Sequence, residues 1–66
     1  MSAILSAADH ASCATSYQAV ACIKATNARV AYKLGAHDRA CRLQAESAEL
    51  SHKARFHLFA ALDSAA

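Results

Sequence analysis

The side chains best suited to chemistry are four histidines, His10, His37, His52 and His57, and three cysteines, Cys13, Cys22 and Cys41. Imidazole and thiolate are common ligands for zinc and copper. A cysteine beside a histidine base is also a standard covalent nucleophile. His10 with Cys13 and His37 with Cys41 are three and four residues apart, so on a helix each pair shares a face. A chain reversal near the middle would bring His10 and Cys13 level with His57. The tight CxxC and HxxxH pairs typical of structural zinc sites are nevertheless absent, and Cys13 and Cys22, nine apart, point to opposite faces of a helix. A chain of 66 residues with one glycine offers neither a phosphate-cradling loop nor room for a concave site of about 300 Å³ or more. These features predict no enzyme, no metal and no cofactor, with the cysteines serving as small, buried apolar side chains.

The elements that would position these groups are organised by Gly35, the sole glycine in a chain without proline. Large aliphatics recur at helical spacing before it (Val20, Ile23, Val30, Leu34) and after it (Leu43, Leu50, Leu58). In one continuous helix Leu34 and Leu43 would lie on opposite sides, at about 100° per residue. A reversal at Gly35 would let the two stripes face each other. Glycine suits a left-handed helix C-terminus, and Lys33 just before it suits the negative end of the helix dipole. Asp38 is the better N-cap for a second helix, with His37 the other candidate. The prediction is an all-α, antiparallel two-helix hairpin in one domain over 1–66. Its first helix covers about 6–34, its turn about 35–37 and its second helix about 38–62, with a frayed tail from Asp63 onward. Ser2 and Ser6 are both N-cap candidates, and Ser6 with Asp9 has the spacing of a capping box.

Each predicted helix carries two seams. On the first, Leu5, Ser12, Ser16, Val20, Ile23, Asn27, Val30 and Leu34 form an aliphatic stripe that is small and polar in its N-terminal half. Asn27 either fixes helix register from within this seam or turns to solvent. The other seam, Ala11, Ala14, Gln18, Ala21, Ala25, Ala28 and Tyr32, alternates spacings of three and four and permits close helix approach. The second helix has Leu43, Leu50, Ala54, Leu58, Ala61 and Leu62 on one face. A charged face holds Arg39, Arg42, Glu46, Glu49 and Lys53, and a weaker strip runs from Cys41 to Phe59. Its last turns, Phe56 to Leu62, are apolar almost all round and need cover on more than one side. Two seams per helix predict that the hairpin dimerises into a four-helix bundle with crossings of about 20°, and leave open which seam forms the hairpin and which the dimer.

Composition narrows the function classes. Alanine supplies 19 residues, while Leu, Ile, Val and Phe together supply 12, so one hairpin has little core of its own. The net charge of +2 is mild. No stretch approaches the roughly 18 apolar residues of a membrane span, and the N-terminus lacks a signal-peptide pattern. Three cysteines without short spacing fit reduced thiols in a cytoplasm. The expected role is a small non-enzymatic interaction protein: an inhibitor, regulator or assembly subunit of the kind encoded by phages and bacteria. It would act as a homodimer on the surface of a larger protein. Tyr32, Arg55, Phe56, Phe59 and Leu62 are the candidate partner-binding residues, because aromatic and arginine side chains are the usual anchors. The alternative is RNA or DNA binding through Arg29, Lys33, Arg39 and Arg42, which cluster around the turn. In size and in its single central turn, the chain resembles small helical-hairpin dimers that bind RNA.

Overall fold

The computed structural model describes residues 5–65. The Ser2 N-cap candidate lies outside them. Among the described residues there are two helices, α1 (Ala7–Lys33) and α2 (His37–Ala65), and no strand. They form a hairpin measuring 46 × 21 × 12 Å.

Local chemistry sets the helix ends. Ser6 caps α1: its side chain accepts from the Asp9 backbone N–H, and the Asp9 carboxylate accepts from the Ser6 N–H, so the capping box closes. At the other end Leu34 is the C-cap and Gly35 takes φ +83°. The Ala36 N–H donates to the Ala31 carbonyl at 2.9 Å and the Gly35 N–H to that of Tyr32 at 3.0 Å, which is the Schellman arrangement. This turn is so short that the Ala36 carbonyl already accepts from the Ala40 N–H, and α2 begins at His37. Asp38 therefore sits inside the first turn, where its charge complements the dipole, rather than at the N-cap. The tail expected to fray from Asp63 is instead helical through Ala65. No glycine or proline follows Leu62 to stop the helix, and alanine favours it.

Of the two aliphatic stripes expected to face each other, the one on α2 turns inward through Leu43, Leu50, Ala54 and Ala61, and the one on α1 does not. Val20, Ile23, Val30 and Leu34 are exposed, as is Asn27. The helices meet instead along small residues spaced seven apart. On α1 these are Ala7, Ala14, Ala21 and Ala28; on α2 they are Ala40, Ser47, Ala54 and Ala61. Between them lie His10, Tyr17, Lys24 and Ala31 on α1, and Leu43, Leu50 and His57 on α2, all half-buried except Ala31, which is buried. This alternation of three and four is a heptad seam. The seam read from the sequence through Ala14, Ala21, Ala25 and Ala28 runs along this interface, whereas Ala11, Gln18 and Tyr32, also placed on it, are exposed. Small side chains win because they let the backbones approach closely and lose no rotamer freedom on burial. The Ser47 hydroxyl reaches the Ala21 backbone carbonyl on the facing helix at 2.8 Å. Among the described residues, the buried ones are six alanines and this serine.

Candidate interaction surface

Two polar ties cross the hairpin besides Ser47. Near the open end, the Nδ1 atoms of His10 and His57 are 2.9 Å apart. The Tyr17 ring stacks on His57 at 5.6 Å, and Phe56 meets it edge-on at 5.3 Å. Nearer the turn, Lys24 Nζ donates to Glu46 Oε1 at 2.8 Å. That hydrogen bond and the lysine charge hold the Glu46 carboxyl below its ordinary range, with a smaller contribution from Arg42. The charged face of α2 thus lies beside α1, and Lys53 also approaches Glu49 and the Tyr17 ring.

The His10–His57 contact realises much of the His10, Cys13 and His57 proximity that a fold at Gly35 implies. Cys13 is half-buried, but among the described residues no three His, Cys, Asp or Glu side chains converge as a metal-binding group. Cys22 and Cys41 are exposed rather than buried, contrary to the expectation that the cysteines fill the core. Both sit at grooves along the hairpin: Cys22 beside Gln18, Arg55 and Leu58, and Cys41 beside Arg29, Tyr32 and Gln44.

The candidate partner-binding residues are all exposed but do not form one patch. Tyr32, at the turn, stacks on His37 at 4.9 Å. Arg55, Phe56, Phe59 and Leu62 lie in the last turns of α2, toward the other end of the molecule. Ring edges and aliphatic groups there face outward: Phe56 is 64% exposed and Phe59 60%. The basic residues of the nucleic-acid reading separate onto two flanks. Arg29 and Lys33 line a groove with Tyr32 and Cys41, whereas Arg39 and Arg42 line another with Leu43 and Glu46. The sequence left open which of the two α1 seams forms the hairpin; the alanine seam does, and the aliphatic stripe is left as surface. A seven-residue alanine period in both helices was the available signal.

No protein-family model, curated protein or solved structure matches this chain. Among the described residues, no helix is long and apolar enough to cross a membrane.

Proposed function

We propose that this chain is a non-enzymatic protein-interaction module, a helical-hairpin dimer that acts by occupying the surface of a larger protein. One observation carries the reading: no side chain larger than alanine or serine is buried, while ten large apolar side chains are exposed among the described residues. A hairpin that hides only small residues gains little stability by itself. Exposed apolar faces of this extent are typical of surfaces that meet other chains. The cluster Arg55, Phe56, Phe59 and Leu62 combines aromatic and guanidinium anchors at one end and is assigned to the partner. This is the chemistry of a regulator, inhibitor or assembly subunit. The separation of Arg29 and Lys33 from Arg39 and Arg42 gives no continuous track for a phosphate backbone.

The test is affinity capture from the native host with the unaltered chain and with Phe59→Ala, each pool analysed for protein and for nucleic acid. The unaltered chain should retain a discrete protein, at a stoichiometry that Phe59→Ala reduces. Retention of RNA or DNA alone, released between about 50 and 200 mM salt, would overturn the reading in favour of nucleic-acid binding.

A further inference from the structure

The aliphatic stripe left uncovered on α1 grades in size along its length. Its N-terminal half presents Ser12 and Ser16, and its C-terminal half Val20, Ile23, Val30 and Leu34. Ile23 is 58% exposed, Val30 52% and Leu34 80%. Between Ser12 and Leu34 the stripe carries no charge, whereas the adjoining flank of α2 bears Arg39, Arg42 and Glu46. We propose that this stripe pairs with the same stripe of a second copy, antiparallel, about a two-fold axis that crosses α1 between Ala21 and Cys22. This assignment rests on the reading that the hairpin dimerises, and it adds the face and the register.

Two observations commit the stripe to a second copy. The first is complementarity of size. Antiparallel pairing about that axis sets Ile23 level with the partner's Val20, Val30 level with the partner's Cys13, one position from Ser12, and Asn27 level with the partner's Ser16. The bulky half of each stripe meets the small half of the other, and the amide meets a hydroxyl. Parallel pairing would crowd the bulky halves together and leave the serine halves apart. The second is area. The chain exposes 4892 Å². A compact monomer of 6.9 kDa exposes about 4,000 Å². The excess, about 900 Å², belongs to the elongated hairpin as a whole and leaves room for the roughly 800 Å² that each partner contributes to a standard interface. A two-fold contact of this kind closes on itself and needs no other subunit.

The test uses sedimentation velocity on the full chain, with circular dichroism to confirm helix content, for the unaltered protein, Ile23→Asp and Phe59→Asp. Both changes fall on exposed positions. The unaltered chain should be a dimer at micromolar concentration. Ile23→Asp should weaken that dimer by about 100-fold or more, the scale of a central interface residue, while Phe59→Asp leaves it intact. A dimer that survives Ile23→Asp and fails with Phe59→Asp would overturn the face while sparing self-association. A monomer at every concentration would overturn both. Orientation is read by disulfide formation after Cys13, Cys22 and Cys41 are replaced by serine. Val30→Cys alone should stay uncrosslinked, since antiparallel pairing holds its two copies about 25 Å apart along the helices. Val20→Cys mixed with Ile23→Cys should crosslink readily. Rapid crosslinking of Val30→Cys to itself would overturn the antiparallel register.

Discussion

The hydroxyl of Ser47 and the backbone carbonyl of Ala21 lie 2.8 Å apart across the hairpin, with Ser47 only 6% exposed. A serine side chain reaches one atom beyond Cβ, so this bond requires the two backbones to run close together at mid-length. The same closeness that admits serine excludes anything larger.

Two substitutions at position 47 should therefore behave very differently. Ser47→Ala removes a hydrogen bond with a net contribution of about 1 kcal/mol and regains part of that in helix propensity, so the loss should be well under 1 kcal/mol. Ser47→Leu forces a large side chain into a seam of alanines and should cost about 2–3 kcal/mol, the scale of overpacking. Urea denaturation of the two variants and the unaltered chain measures both. Equal stability of Ser47→Leu and Ser47→Ala would mean that the helices are not held at the spacing this bond implies.

His10 and His57 form the corresponding tie near the open end. Of two ring nitrogens 2.9 Å apart, one must donate and the other accept, so a pair with both rings protonated cannot keep the contact. A double-mutant cycle with His10→Ala and His57→Ala should give a coupling of about 0.5–1.5 kcal/mol near neutral pH. Replacing either histidine by phenylalanine keeps a ring but removes the donor–acceptor pair, so the coupling should be lost there too. A coupling that survives with phenylalanine would assign the contact to ring packing, with Tyr17 and Phe56 stabilising His57.

Which parts of this arrangement the sequence discloses follows from the range of the forces involved. The caps at Ser6 and Gly35 are local, involving residues a few positions apart, and their chemistry is legible directly. The level meeting of His10 with His57 follows once the reversal is placed at Gly35. The seam through Ala14, Ala21 and Ala28 is visible in the sequence, but its choice over the other is not, because hydrophobicity alone favours Val20, Ile23, Val30 and Leu34 over alanine. The competing term is the close backbone approach that alanine and serine permit, which belongs to the pair of helices and not to either one. With 19 alanines in the chain, their regular spacing also carries little weight against the background. The exposure of Phe56 and Phe59 follows from that same seam, since Ala54, His57 and Ala61 take the inward positions around them.

The Lys24–Glu46 pair should contribute weakly and in a defined pH window. Because the Glu46 carboxyl is held below its ordinary value of 4.5, the pair stabilises the folded chain above that value. The contribution is lost as pH falls through the depressed folded value. Thermal melts of the unaltered chain and Glu46→Gln should therefore differ slightly at neutral pH and converge in acid. Both side chains are partly exposed, so added salt should narrow the neutral-pH difference as well. A gap that widens on acidification would contradict the sign of the shift.

Gly35 tests the reversal itself. A Cβ built on it meets nothing within 4 Å, so steric contact with the rest of the chain does not explain the glycine. The remaining cost is the left-handed backbone at φ +83°. Gly35→Ala should accordingly destabilise the hairpin by about 1 kcal/mol, and Gly35→Asn by less, since asparagine tolerates that conformation better. Gly35→Val should be worse than alanine because it adds β-branching. The same substitutions favour a continuous helix, in which alanine is preferred to glycine by about 1 kcal/mol. The two effects add, so Gly35→Ala biases the chain toward a straight rod by about 2 kcal/mol in all. Small-angle scattering distinguishes the forms, because a rod of the two joined helices is nearly twice as long as the 46 Å hairpin. Gly35→Ala should keep the hairpin dimensions at reduced stability, since the seam from Ala7 to Ala61 is lost entirely in the rod. An elongated Gly35→Ala chain would mean that this seam of small residues contributes less than the turn requires, and that the hairpin depends on its glycine alone.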